Sequence, residues 1–251
     1  RGQLFKAQTI LVEAIKYHPQ NVTLQTGLAQ AYLQGGNAEK AETPLLAAIA
    51  LEPTDFSHQA RLATHYVASK QLQKAEVVLR NSLTSAPNDS KRMLALKEFL
   101  LHHSSPEAAE TELLGFIRAM PTHYDLHFAL ADLYEATGVQ DKAENVYQAL
   151  IAQGVSGAVN EKAHAKLAEM YTGMGKASVA KTHIESALKI SKDSPDALVA
   201  RGRLAMEERD YDRAIADFRS ALKQFPRSVE YMGLLARAHM QNRQPDLARE
   251  L

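Results

Sequence analysis

Histidine is the residue type best able to bring chemistry to this sequence. Ten are present and cysteine is absent, so a metal would need imidazole and carboxylate ligands. The densest grouping sets His102 and His103 ahead of His123 and His127. A zinc site calls for a tight ligand set such as paired cysteines or His-Glu-x-x-His, and neither occurs. Gly173-Met174-Gly175-Lys176 has the look of a phosphate loop, but Met170 stands where the first glycine is needed. Ala177 replaces the Ser/Thr, and no strand pattern precedes it, so a turn between helices is expected there. Acyl transfer has no support, because neither Gly-x-Ser-x-Gly nor a cysteine nucleophile is present. Glu207 and Glu208 are adjacent on a predicted helix and therefore diverge instead of facing each other across a cleft. Lys91-Arg92 and Arg201 with Arg203 form no basic stripe interleaved with aromatics, which single-strand binding would require. These residues predict no enzyme activity, no metal and no cofactor, and leave binding as the remaining function.

Acidic and basic residues balance at 29 each. The long-range positive field that draws proteins to nucleic acid or anionic lipid is therefore missing, and neither is expected as a partner. No run of 18 apolar residues exists, so direct membrane insertion is not expected either. The chain opens on Arg1 and stops at Leu251 inside a segment that its own periodicity would continue, so a longer protein is expected. A cysteine-free chain suits the cytoplasm or a bacterial periplasm or envelope equally.

The elements that position these residues follow from a period. Ala7, Ala41, Ala75, Ala109, Ala143, Ala180, Ala214 and Ala248 recur every 34 residues, with a single step of 37. A proline follows twelve residues later at Pro19, Pro53, Pro87, Pro121 and Pro226. Such self-similarity is the mark of a repeat array. Within a unit, apolar residues recur at helical spacing in two stretches: Leu28, Ala29 and Tyr32, then Ala41, Leu45, Ala48 and Ile49. Between them Gly35-Gly36-Asn37 supplies a helix end and a candidate cap. Each unit is thus a helical hairpin.

The pattern resembles the tetratricopeptide repeat family, whose period is 34 residues. The leucine position holds Leu28, Leu62, Leu96, Leu130, Leu167 and Leu235, lapsing to Arg201. The small position holds Ala29, Ala63, Ala131, Ala168, Gly202 and Ala236, and the tyrosine position Tyr32, Tyr66, Tyr134 and Tyr171. The resemblance implies an all-α, right-handed α-solenoid of stacked antiparallel hairpins, a single array over 1–251. Its parts are a second helix (1–21), repeats 22–55, 56–89, 90–123, 124–160, 161–194 and 195–228, and a truncated repeat from 229 to 251. Two units depart from the pattern. Unit 90–123 places Lys97 at the small position and Phe116 where a small residue is usual, predicting wider helix spacing. Unit 124–160 carries three surplus residues in Gln153-Gly154-Val155-Ser156-Gly157, a predicted kink or hinge.

Stacked hairpins curve, and the resemblance implies a concave groove lined by the first helices. The residues mapped onto that groove are Gln30, Leu33, Thr64, Val67, Leu94, Glu98, Phe128, Asp132, Glu169, Val199, Arg203, Met206, Arg237 and Met240. Their charge runs from neutral through acidic to basic over an apolar floor, which suits an extended peptide or a partner helix. The lysine and asparagine clamp by which some family members hold chaperone tails is absent, since Thr26, Gln30, Ala60 and Thr64 stand there. The asparagine ladder of sugar-nucleotide transferases is absent too. In style the array is similar to the long tetratricopeptide proteins of bacterial envelope and exopolysaccharide (PEP-CTERM type) systems. The expected function is a non-catalytic scaffold for a protein or peptide partner. The alternatives are a spacer or self-associating module acting through uncapped apolar ends, and the regulatory arm of an enzyme whose catalytic domain lies outside these residues.

Overall fold

The computed structural model describes residues 2–155 and 157–251. Fifteen helices and no strand occur among the described residues. The chain divides into two compact units, Arg1–Leu130 and Ala131–Leu251.

The first unit contains α1 (Gly2–Tyr17), α2 (Val22–Gln34), α3 (Ala38–Leu51), α4 (Phe56–Ala68), α5 (Leu72–Ser85), α6 (Ser90–His103) and α7 (Pro106–Ala119). It ends within α8 (Tyr124–Ala136). Consecutive helices pack against each other, α2 on α3 and α4 on α5 within hairpins, α3 on α4 and α5 on α6 between them. The second unit contains α9 (Gln140–Ala152), α10 (Gly157–Gly173), α11 (Ala177–Ile190), α12 (Pro195–Glu207), α13 (Tyr211–Gln224), α14 (Val229–Gln241) and the short α15 (Pro245–Arg249). Here α10 packs on α11 and α12 on α13, and the first helices α10 and α12 also touch each other.

The periodic alanines explain the close approach. Ala41, Ala75, Ala109, Ala143, Ala180 and Ala214 are all fully buried at helix contacts, where a larger side chain would hold the backbones apart. Around them the apolar positions complete the core, with Leu45, Leu113, Tyr147 and Phe218 buried in the second helices α3, α7, α9 and α13.

Helix starts repeat in the same register. Asn21, Asp55, Asp89, Ser194 and Ser228 each accept a hydrogen bond from a first-turn N–H, satisfying a donor the helix cannot satisfy itself. The turn inside each hairpin is periodic too. Gly36, Gly138 and Gly175 take a left-handed backbone, and at the same register Lys70, Arg209 and Arg243 do so without being glycine. Ser104, the equivalent residue in 90–123, does not, with φ of −128°.

Neighbouring hairpins are tied by a repeated polar link. The Tyr66 hydroxyl donates to Glu42 Oε1 at 2.8 Å, and the Tyr171 hydroxyl to Glu144 Oε1 at 2.7 Å. Burial, followed by Glu42, pushes the Tyr66 hydroxyl up to about 12. The bond to Glu144, with burial behind it, does the same for Tyr171. Lysines lie over these rings, Lys74 on Tyr66 and Lys176 on Tyr171.

Where the leucine position lapses to Arg201, the second helix supplies a compensating charge. Asp217, buried on α13, receives Nε at 2.8 Å and Nη2 at 2.6 Å, a two-pronged pair. The three surplus residues of 124–160 extend a helix. The neighbouring first helices α8 and α12 have 13 residues each, whereas α10 has 17 and begins at Gly157. Three residues make most of one turn, so the added length nearly preserves which side of the helix faces the core. Ser156, in the segment expected to kink, lies outside the described residues.

Candidate functional site on the first-helix face of the second unit

The second unit gathers five of the residues mapped to the groove. Glu169 on α10, Arg203 and Met206 on α12 and Arg237 on α14 line one cavity of about 180 Å³, completed by Thr172, Gly173, Glu207, Phe218 and Leu234. A second cavity of about 100 Å³ is lined by Ala165, Lys166, Glu169, Asp196, Val199, Glu230 and Tyr231. Glu169 borders both.

Arg203 separates the two by pairing on either side. Its Nη2 donates to Glu230 Oε1 at 2.9 Å, and its Nε lies 3.2 Å from Glu169 Oε1, an ion-pair contact without hydrogen-bond alignment. Burial raises the Glu169 carboxyl, and Arg203 and Lys166 pull against that. Burial would lower Lys166, but Asp132, 3.2 Å away, and Glu169 outweigh it, and the ammonium is held above its ordinary range. Arg203 is thus largely neutralised within the chain, while Arg237 is exposed and makes no ion pair among the described residues.

Phe128 and Val199, expected on the groove floor, are 6% and 3% exposed, and of the two Val199 still borders the smaller cavity. Val199 packs into a cluster with Ala205, Phe218 and Leu235, and Phe128 begins four successive buried residues on α8, which is enclosed on more than one side. A partner could touch at most their edges. In the first unit, Gln30, Leu33, Thr64 and Glu98 are exposed on α2, α4 and α6, with Val67 and Leu94 half-buried. Thr64 donates to the Ala60 carbonyl and Glu98 receives Lys97. Met240 is exposed on α14.

Lys166, Asp196, Glu230 and Tyr231 were not expected at the site. Their signal was available: Asp196 and Glu230 are one 34-residue period apart, at the second position of successive units.

The histidines are engaged elsewhere. His127 Nε2 is 3.0 Å from the Pro121 carbonyl, and His102 Nδ1 is 2.9 Å from the Glu98 carbonyl. His164 and His183 face each other Nδ1 to Nδ1 at 2.9 Å, with Tyr171 stacked on His183. Among the described residues, metal-type ligands gather at Glu52, Asp55 and His58. There His58 Nε2 is 3.0 Å from Glu52 and 3.6 Å from Asp55. Asp55 is already occupied in capping α4 through the Ser57 N–H, a bond that lowers its carboxyl, so the trio reads as a capped helix start with a histidine–carboxylate contact beside it. The Gly173–Lys176 segment is a turn, with Gly175 left-handed and Lys176 over the Tyr171 ring.

Residues 1–66 and 199–251 match tetratricopeptide repeat family models. No curated protein matches the chain. Among solved structures it is similar to a tetratricopeptide repeat protein from Parabacteroides merdae, at 20% identity and TM-score 0.58, covering 95% of this chain and 93% of that one. It is similar to yeast Tom70 at 16% identity and TM-score 0.65, covering 98% of this chain and 53% of that one. The Cut9–Hcn1 hetero-tetramer of APC/C is similar at 15% identity and TM-score 0.54, covering 98% and 48%. The chain spans about half the length of the last two. Likeness at this identity is a likeness of fold, an α-solenoid of the kind that serves as a protein–protein interaction scaffold. Residues 1–66 and 199–251 are tetratricopeptide repeats, and the alanine register and hairpin packing carry the same pattern through the residues between them.

Proposed function

We propose that this chain is a non-catalytic scaffold that holds a segment of a protein partner against its first helices, with α10, α12 and α14 as the principal seat. The observation that carries this reading is the pair of open cavities on those helices, where charged and apolar side chains converge. Binding sites combine an apolar surface with a few placed polar groups, and this face has that composition. Arg237 offers an unneutralised guanidinium at one edge, while Met206 and Leu234 offer apolar surface beside it.

A photo-crosslinking residue placed at Met206 tests the reading against one placed at Arg219, which is exposed on the second helix α13. In extract of the source cells, the Met206 probe should yield discrete protein adducts and the Arg219 probe should not. Equal labelling from both positions would reject the first-helix face as the seat.

A further inference from the structure

Resting on that reading, we propose that the partner segment is a helix carrying one lysine or arginine and, seven residues away, one large apolar side chain. The basic group enters the cavity walled by Glu169, Asp196 and Glu230, and the apolar group enters the cavity walled by Met206 and Leu234.

The charge argument is specific to the smaller cavity. Three acidic residues and Tyr231 line it, with Lys166 as the cation in its wall. Lys166 is drawn to Asp132, and Arg203 answers Glu169 and Glu230. Asp196 has no ion pair among the described residues and is left to meet an incoming cation. Asp196, Glu230 and Glu169 add to burial in raising the Tyr231 hydroxyl, and Arg203 opposes them. The Tyr231 ring provides a face over which an ammonium or guanidinium can also sit. An anionic group would meet repulsion there, and a neutral one would leave Asp196 unanswered.

The spacing argument selects a helix. Val199 borders the acidic cavity, and Met206 borders the larger one, where Leu234 and Phe218 also supply apolar wall. Seven residues along α12 correspond to about 10 Å. On a docked helix lying alongside α12, residues seven apart share one side and span the same distance. An extended chain covers about 10 Å in three residues, but side chains three apart point to opposite faces.

Selection of a phage-displayed library of random peptides, long enough for roughly four helical turns, against this chain tests the proposal. Enriched sequences should pair Lys or Arg with Leu, Met or Phe at a separation of seven. The best synthetic peptide should lose about tenfold or more in affinity when its basic residue becomes Glu, and likewise when the protein carries Asp196→Lys, as expected for close charge pairs. The Glu-bearing peptide should regain affinity on the Asp196→Lys protein. Met206→Glu should weaken the original peptide independently, and circular dichroism should show both variants fully helical. Acid-rich winners, or no enrichment at all, would overturn the proposal. Binders that ignore Asp196→Lys but respond to Met206→Glu would overturn it while leaving the first-helix face as the seat. Binders that ignore both would overturn the seat as well.

Discussion

At the eighth position of its unit, where two helices cross, the hairpin α6–α7 carries Lys97 and the hairpin α12–α13 carries Gly202. Gly202 leaves room for the Phe218 ring, which is fully buried. A methyl added at residue 202 would sit 2.5 Å from its Cε1. Around that contact α12 buries seven residues and α13 five. Lys97 admits no such approach. Its ammonium turns out to Glu98 at 2.7 Å, Leu113 takes the place of Phe218, and α7 buries only Ala109 and Leu113.

The looser hairpin is secured from the side by Arg92, which is 1% exposed. Its guanidinium donates to the Ser82 carbonyl at 2.7 Å, the Ser85 hydroxyl at 2.9 Å, the Thr54 carbonyl at 2.6 Å and Asp89 at 3.1 Å. The ring of Phe56 lies 5.3 Å beneath it. One joint is closed by shape and the other by directed hydrogen bonds. A repeat array tolerates the loss of one packing residue when the neighbouring repeat offers main-chain acceptors to a long cation.

Replacing Arg92 with leucine breaks this contrast most severely. The Ser82 carbonyl loses a charged donor in a buried place and the Thr54 carbonyl loses one at its edge, at a cost of about 3 kcal/mol or more. Urea unfolding followed by circular dichroism should show the midpoint fall, and Arg92→Lys should recover less than half, because an ammonium cannot span four acceptors in a plane. A loss below about 0.5 kcal/mol, the range of ordinary surface changes, would show that the staple is ornamental.

Gly202→Ala comes next. The new methyl meets an aromatic ring with nowhere to retreat, and overpacking of this kind costs about 1–3 kcal/mol, reduced by about 1 kcal/mol of gained helix propensity. Lys97→Ala, the same position in the other hairpin, should be neutral or slightly stabilising by the same measurement. Equal responses at the two sites would erase the distinction.

The smallest effect is one of pH. Burial lowers both His164 and His183 below the ordinary 6.5, the neighbouring His183 adding to the effect at His164 while Glu144 opposes it at His183. The unfolded chain therefore takes up protons that the folded pair refuses. Stability from this pair is complete above 6.5 and is lost as pH falls below it. The melting temperature should drop between about pH 7.5 and about pH 5.5, the interval in which histidine titrates. His164→Phe should flatten that drop, and an unchanged slope would remove the pair from the pH response.

Much of the hairpin plan was legible because it rests on local rules. A methyl-sized residue recurring with the period, a polar cap before five of the first helices and a glycine in three of the turns act over a few residues, and one sequence displays them all. Arg92 was not legible. It looked like part of a failed basic stripe because two of its acceptors are backbone carbonyls, one of them 38 residues earlier at Thr54, and carbonyls leave no trace in side-chain patterning. Phe128 is more enclosed than its position suggested for a related reason. A position that faces the groove in an average repeat becomes interior when neighbouring helices crowd it. The acidic cavity was missed because its charges come from three helices, each bland when read alone.

The left-handed turns at Lys70, Arg209 and Arg243 carry a practical implication. Each forces a side chain with a Cβ into a conformation that glycine accepts freely, each sits between the helices of a hairpin, and none is among the residues lining the α10, α12 and α14 cavities. In a linear array, strain released at one bend stays with its own neighbours. An engineer could therefore harden this molecule bend by bend, using glycine alone, while whatever it grips is gripped as before.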